Sequence, residues 1–339
     1  MSDAIIAVPT ASRGPWATAF NRLKRDRTAL AALAVFVLIV LACLSAPLYA
    51  QWAGVQPFKS TLDAVVTING EQKPVMELPT TGLALGYTPI GPTWELGNYF
   101  LGADNQGRDV MARLLYGGMN SFVIAGAATV FTLTFATAFG LLAGFFGGLL
   151  DVVISRILDV MWAFPVYLLA ISLSIVLITQ GITIGPIVID SGSLWLPIFI
   201  IGLIYIPYVA RPIRGQVMAL RNSDFVMAAI GLGAPSSRIL LKDILPNIST
   251  TLIVFVPIMM ALNMLTESAL SFLSIGVQPP DASWGTIIQD GQTLLYTRPV
   301  VALAPGLMIV ASVLSLNVFG DGLRDALDPK SKIKLGRVG

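Results

Sequence analysis

The chain of 339 residues contains no histidine. It therefore lacks the usual general base, the usual proton relay and the commonest transition-metal ligand. Its single cysteine, Cys43, excludes an intrachain disulfide and lies in an apolar run, where a thiol acts as a small hydrophobic group. No GxxxxGK[ST] sequence occurs, which excludes nucleotide binding by a P-loop. We therefore predict no catalytic, cofactor or metal site in this chain, and any energy that it uses must come from a partner.

Charged residues are also scarce. Only 12% of the residues are Asp, Glu, Lys or Arg, against roughly 25% in soluble proteins, whereas 55% are hydrophobic and the mean hydropathy is +0.78. The net charge of +2 comes from basic residues clustered beside apolar runs rather than from one basic domain. The composition predicts an integral membrane protein that contacts membrane lipid and does not bind nucleic acid.

Six apolar runs are long enough to cross a bilayer as helices of around 20 residues. They lie near residues 28–49, 118–147, 157–179, 195–212, 248–274 and 300–320. The second run is longer than one span needs and ends in four glycines, Gly140, Gly144, Gly147 and Gly148, which predict a helix that tilts, packs closely or ends before Gly147. The pattern predicts an all-α membrane protein with about six transmembrane helices.

Most Lys and Arg residues lie before residue 28, between residues 156 and 242, and after residue 323. By the positive-inside rule, segments 1–27 and 323–339 and the 213–247 loop are cytoplasmic, and the 50–117 and 276–298 loops are outside. The region 118–322 is the predicted transmembrane core, which contains the 213–247 loop. The first run exceeds the length of a signal-peptide core, so we expect it to be retained.

Within the long outer loop, Asn69-Gly70 beside an alternating Val-Thr-Ile segment predicts a hairpin.

The cytoplasmic stretch 224–247, DFVMAAIGLGAPSSRILLKDILPN, predicts two short helices. Asn222 and Ser223 can cap the first, Gly231 and Gly233 end it, and Pro235 begins a second helix that ends at Pro246 before the fifth span. The small residues leave a surface into which another protein's side chains could insert; the alternative is an amphipathic loop lying in the headgroups. The residues that we assign to docking are Asp224, Phe225, Ala228, Ala229, Gly233, Ala234, Pro235 and Arg238.

The fifth span carries polar residues on one helical face. Asn263, Glu267 and Ser271 recur at intervals of four, with Met259 and Met260 about a turn inward. An ionisable group in a span is by default a pathway candidate. The alternative is that Glu267 lies near the outer end and pairs with a neighbour to lock the span.

Two outer segments also carry candidate residues. Asp104, Arg108 and Asp109 precede the second span and form either a docking elbow for an outer partner or charge pairs that hold the loop at the membrane surface. In the loop before the last span, Trp284 is expected to be an interfacial anchor, or else to shape the outer mouth.

Several of these stretches resemble the permease subunits of ABC importers. Ala228, Ala229, Gly233, Leu245 and Pro246 match the spacing of the EAA loop, with Met227 where a Glu is common. The motifs LGADNQGRDVMARLLYGGMNSF (101–122), DVMWAFP (159–165), ESALSFLSIGVQPPDASWG (267–285) and NVFGDGLRDALDP (317–329) resemble those of dipeptide and oligopeptide permeases. The resemblance covers residues from about 100 to 329 and the first span, but not the 51–99 loop.

The resemblance implies a type I ABC importer permease architecture, with a cytoplasmic coupling loop and an extended extracytoplasmic loop, in a bacterial cytoplasmic (inner) membrane. It implies a homologous second permease, two cytoplasmic ATPase subunits that hold ATP and Mg²⁺, and an extracytoplasmic substrate-binding protein. The expected substrates are peptides, with oligosaccharides, opines or nickel chelates as alternatives. A stand-alone channel or secondary transporter is the remaining alternative, and it is disfavoured because the spans contain few charges and no His.

Overall fold

The computed structural model describes residues 15–68, 70–77, 87–184, 187–190 and 192–328, most of which are helical. The helices of the first half are α1 (Pro15–Leu23), α2 (Arg27–Leu44), α3 (Ala46–Ala53), α4 (Val110–Phe146), α5 (Gly148–Ala163) and α6 (Val166–Gln180). Those of the second half are α7 (Trp195–Ile204), α8 (Ile206–Arg221), α9 (Asp224–Gly231), α10 (Ser236–Arg238), a π-helix (Ile239–Ile244), α11 (Leu245–Phe272), α12 (Trp284–Gln292) and α13 (Val300–Leu327).

Four helical runs are long and apolar enough to cross a membrane: Arg27–Leu44, Val110–Phe146, Ser236–Phe272 and Val300–Leu327. Two further spans are made of bent pairs, α5 with α6 and α7 with α8. Counting each bent pair as one span gives six, which confirms the predicted fold class. The assignment of individual segments to the cytoplasm or the outside remains a prediction, and it includes residues 1–14 and 329–339, which lie outside the described residues.

The bent pairs correct two spans that were predicted as continuous. Between α5 and α6 the chain turns by 90°, because Pro165 disfavours a helical conformation at the residue before it and Phe164 is extended. The fourth span does not end at residue 212. It bends by 43° near Tyr205 and continues to Arg221, with Pro212 inside the helix.

The boundaries of the first and fifth spans also differ from the prediction. The first span ends at Leu44 rather than 49, and α3 starts at Ala46 with a proline in its first turn. Pro246 does not terminate a separate helix before the fifth span. It lies in the first turn of α11, directly after the π-helix, where the change from i+5 to i+4 hydrogen bonds tolerates a residue without an N–H.

Helix α4 is the centre of the bundle. It has 37 residues and packs against α8 through Gly140 and Gly144, where an added Cβ would come within 2.6 Å of Ile213 and 2.7 Å of Val217. Such small-residue contacts let membrane helices approach closely. The helix ends at Phe146, before Gly147, which has φ +65°. Close packing and termination before Gly147, both predicted from the glycines, are confirmed.

The segment between α3 and α4 forms short strands. β1 (Val65–Ile68) and β2 (Glu71–Pro74) pair antiparallel, with Ile68 opposite Glu71, which confirms the predicted hairpin; Asn69 itself lies outside the described residues. β3 (Met76–Glu77) pairs with β4 (Thr88–Pro89), and β5 (Ile182–Ile184) pairs with β6 (Ile187–Ile189) in a separate hairpin after α6. A small core beneath the first two hairpins contains Val66, Val75, Ile90, Tyr99 and Ala103.

Candidate functional site

Helix α9 is a separate eight-residue element between α8 and the run that begins with α10. Asp224 lies in its first turn, where a carboxylate is favoured by the helix dipole. Gly233 closes the helix at φ +76°, and the N–H of Ala234 donates to the carbonyl of Ala229 at 3.0 Å around it. Because a left-handed residue after a helix favours glycine, the sequence alone defines this turn.

Apolar side chains on α9 and its closing turn point away from the bundle. The exposed fractions are 44% for Phe225, 57% for Met227, 47% for Ile230 and 88% for Leu232. Only Val226 of the helix is fully buried. We call these four exposed residues the α9 patch. Exposed apolar side chains grouped on one short segment make that segment a candidate interaction site.

The docking residues predicted from the sequence lie on or beside this patch. Two of them, Ala229 and Ala234, are half-buried. The other six are exposed: Asp224, Phe225, Ala228, Gly233, Pro235 and Arg238. Sequence reasoning missed three members of the patch, Met227, Ile230 and Leu232, although they are large apolar side chains beside the predicted docking residues. The following π-helix anchors the segment, because Ile239, Leu240 and Ile244 are buried in the core.

Glu267 is completely buried within the chain. Its Oε1 accepts a hydrogen bond from Ser271 at 2.7 Å, and its Oε2 accepts one from Ser121 of α4 at 2.8 Å. The hydroxyl of Ser121 in turn accepts the N–H of Trp284 at 3.2 Å, and that of Ser271 accepts the N–H of Val277 at 3.1 Å. The carboxyl group thus ties α11 to α4 and to the start of α12. This geometry favours the locking role over a pathway role, and the pathway role stays a prediction.

The other pathway candidates are also enclosed. Met259, Asn263 and Ser271 are fully buried, and Met260 is half-buried. The amide of Asn263 donates to Thr129 of α4 at 2.9 Å. On this face α11 packs against its own bundle, and its regularly spaced polar residues contact other helices of the chain. The pathway role of these residues stays a prediction.

A charged cluster lies at the N-terminal end of α4. We define it as Asp104, Arg108, Arg113 and Asp290. Oδ2 of Asp104 pairs with Arg108 at 2.8 Å and with Arg113, while Asp290 of α12 pairs with Arg108 at 3.0 Å and with Arg113 at 2.7 Å. Asp104 is completely buried, and the side chains of Arg108 and Arg113 are 9% and 3% exposed. The cluster fastens the 104–113 segment to α12 rather than to a membrane surface.

Sequence reasoning missed two members of this cluster, Arg113 and Asp290. They are 177 residues apart, so no local pattern joins them. The only signal was the rarity of charge in apolar surroundings, which predicts that a buried guanidinium has a carboxylate partner.

Asp109 plays a different part from its neighbours. Its Oδ1 accepts the N–H of Ala112 at 2.7 Å and caps α4, whereas its Oδ2 is buried without a hydrogen-bond partner among the described residues. Burial raises the pKa of Asp109 to about 6, against the opposing effect of the Ala112 N–H.

Trp284 is not an interfacial anchor. It is completely buried, and its indole N–H donates to the carbonyl of Leu114 at 2.9 Å. Gly118 of α4 makes room for it, since a Cβ there would come within 2.7 Å of the indole. Ser283 and Thr286 form a capping box that starts α12 directly beside it.

The spans, the separate helix α9 and the enclosed α4–α11–α12 contacts describe a multi-pass membrane protein with one short helix outside its bundle. The family model described as "Binding-protein-dependent transport system inner membrane component" matches residues 136–333, and that of the "N-terminal TM domain of oligopeptide transport permease C" matches residues 14–63. The chain belongs to this family of transport permeases.

Similar proteins extend this result over almost the whole chain. The chain is 33% identical to the dipeptide transport system permease protein DppC of Alkalihalophilus pseudofirmus, over 94% of this chain and 91% of that protein. It is 32% identical to the oligopeptide transport system permease protein OppC of Bacillus subtilis, over 93% and 90%. It is 33% identical to the glutathione transport system permease protein GsiD of Escherichia coli, over 96% and 93%. The resemblance to peptide-type permeases is confirmed, and these similar proteins are transport permease subunits.

A solved structure shares the fold. A chain of the MetNI methionine ABC transporter, in an inward-facing conformation, superposes with a TM-score of 0.53 at 17% identity, over 64% of this chain and 97% of that chain. The similarity supports the type I importer architecture.

Proposed function

We propose that this chain is one of two permease subunits of an ATP-driven importer for peptides in a bacterial cytoplasmic membrane. It forms half of the translocation pathway together with a homologous permease. Both termini and α9 face the cytoplasm, where α9 docks on one of two ATPase subunits. A substrate-binding protein delivers the solute on the opposite side. The ATPases bind ATP and Mg²⁺, and alternating access follows from rigid-body movement of the spans.

The α9 patch is the observation that carries the docking role. An eight-residue helix with three exposed apolar side chains, and a fourth at Leu232 directly after it, gains little stability alone, since short isolated helices are marginal in water. Another protein that covers the patch would remove this apolar surface from water.

The alternative, a helix lying in lipid headgroups, fits the residues less well. Interfacial helices carry Lys and Arg on their polar face, where they contact anionic lipid. The only charged residue between Asp224 and Gly231 is Asp224 itself. The patch is therefore better suited to an apolar protein groove than to an anionic surface.

The substrate class is inferred from the relatives. Their names specify dipeptide, oligopeptide and glutathione transport, and all three solutes contain peptide bonds. We therefore assign peptides to this chain ahead of oligosaccharides, opines and nickel chelates.

Docking is tested by purifying the tagged chain from its host in mild detergent and quantifying the proteins that accompany it. We compare wild type, Leu232→Glu and Tyr296→Glu. Leu232 belongs to the α9 patch, whereas Tyr296 is just as exposed but lies between α12 and α13. A carboxylate buried in an apolar interface costs roughly 2 kcal/mol or more, so Leu232→Glu should reduce ATPase recovery at least tenfold.

The control variant should recover the ATPases at the wild-type level. Wild-type chain that purifies alone, or ATPase recovery unaffected by Leu232→Glu, would contradict the proposed docking. Uptake of labelled di-alanine into vesicles that contain the complete importer then tests the substrate class, and uptake of an oligosaccharide instead of the peptide would contradict it.

A further inference from the structure

A cavity of about 620 Å³ lies beside α3, β1 and the segment 97–109, and all its lining residues except Asp109 belong to the 51–99 loop, which the resemblance does not cover. Its volume falls in the range of small-ligand sites, about 300–1,000 Å³. Its lining residues include Gln56, Lys59, Thr61, Val65, Asn98 and Asp109. Gln56, Lys59 and Val65 are exposed, while Asp109 is only 2% exposed. The cavity therefore leads from the surface to a buried carboxylate.

The buried end of the cavity has an unused hydrogen-bond acceptor. Asp109 lines the cavity, and its Oδ2 has no hydrogen-bond partner among the described residues. Buried polar atoms in proteins are nearly always hydrogen-bonded, so an unpaired carboxylate oxygen calls for a donor from outside the chain. A primary ammonium group has three N–H donors and a positive charge, so it can donate a hydrogen bond to this oxygen and also balance the charge of the carboxylate.

The surface end of the cavity carries a positive charge. Lys59 is exposed and makes no ion pair within 4.0 Å in the part of the chain that the structure describes. Val65 and Val66 of β1 and Ala53 also line the cavity and offer apolar contacts to a side chain. A small molecule with an ammonium at one end and a carboxylate at the other complements this arrangement.

We propose that this cavity is a peptide-binding site of the permease itself, in which Asp109 receives the free amino terminus of a short peptide and Lys59 its carboxylate. The choice of a peptide rests on the proposed function. The site would hold a peptide on the outer side of the chain, beside the start of α4.

The test measures binding of L-alanyl-L-alanine to the purified importer complex in lipid nanodiscs without the substrate-binding protein, by saturation-transfer NMR and calorimetry. N-acetylated di-alanine keeps the carboxylate but lacks the ammonium group. We expect its affinity to be at least tenfold lower than that of di-alanine. This arm uses wild-type protein, so it does not depend on the folding of any variant.

Three variants locate the bound peptide. Asp109→Asn should lower the affinity at least tenfold while keeping the cap of α4, because Asn is an equally good N-cap. Lys59→Gln should lower it about threefold, since Lys59 is exposed and its pairing is weak. Lys73→Gln, on β2 and outside the cavity, should leave it unchanged.

Affinity that is insensitive to acetylation or to Asp109→Asn would overturn the proposal, as would a lack of binding to the wild type. The same preparation, supplied with the binding protein and ATP in vesicles, separates this failure from failure of the proposed function. Peptide uptake without binding at the cavity refutes the site alone, whereas the absence of peptide uptake refutes the substrate class.

Discussion

At the N-terminal end of α4, four charged side chains pair with one another, three of them almost completely buried, whereas at the end of α8 the helix α9 leaves four apolar side chains exposed. The charged cluster pairs its buried charges with one another within the chain. The α9 patch leaves its apolar groups to be covered by something else. Substitutions in the first region should therefore affect folding, and those in the second should affect assembly.

The strongest test of this contrast is Asp104→Ala. It would leave the buried guanidinium groups of Arg108 and Arg113 with Asp290 as their one remaining ion-pair partner among the described residues. Removing one member of a buried ion cluster costs about 3–5 kcal/mol, because charge remains buried without compensation. We expect a loss of that size in the free energy of unfolding, measured by SDS titration of the chain in mixed micelles.

Lys73→Ala provides the matched control. Its ion pair with Glu71 is long, 4.0 Å, and exposed, so its loss should cost under about 1 kcal/mol. Equal effects of the two substitutions would show that the charged cluster is not a structural element.

Glu267→Ala should have the next largest effect. It would leave the buried hydroxyls of Ser121 and Ser271 without their acceptor and create a cavity, at a combined cost of about 2–4 kcal/mol. Ser172→Ala, which removes an exposed hydroxyl from α6, should change the free energy of unfolding by under about 0.5 kcal/mol. Wild-type stability combined with lost uptake in Glu267→Gln would instead favour the pathway role.

Asp109 makes the first region sensitive to pH. Its pKa is about 6 in the folded chain, above the ordinary value of 3.8, so folding favours its protonated form. Its contribution to stability is fully present below about pH 4 and is lost as the pH rises through about 6, by up to about 3 kcal/mol. In Asp109→Asn this part of the pH dependence should disappear from the SDS titrations. A profile unchanged by the substitution would contradict the assignment.

The smallest effect on folding is expected at α9. Gly233→Ala places a side chain at φ +76°, which costs about 1 kcal/mol although no atom lies within 4 Å of the new Cβ. Gly231→Ala, two residues earlier and without a positive φ, should be neutral or slightly stabilising. Gly233→Ala should also lower ATPase recovery, because the turn sets the direction of the α9 patch. Equal ATPase recovery from both variants would argue against a role for this turn.

The sequence predicted α9 more closely than any other part of the candidate site. Its start at Asp224, its small residues and its end before Gly233 all follow from local rules for caps and left-handed turns. It could not predict that Trp284 would be buried, because that depends on the space left by Gly118 on a helix more than 150 residues away. The bend before Pro165 could have been predicted from the proline, but the apolar run around it was interpreted as one continuous span.

The sequence by itself determined the six spans, the hairpin near Gly70 and the short helix after α8, because hydropathy, caps and turns act over a few residues. Only the tertiary structure decided which polar groups meet. It joined Arg113 to Asp290 and Glu267 to Ser121, and it left Oδ2 of Asp109 unpaired at the wall of a cavity. The reason is that a buried polar side chain must find its partner in space, and the helices that supply these partners are distant in sequence.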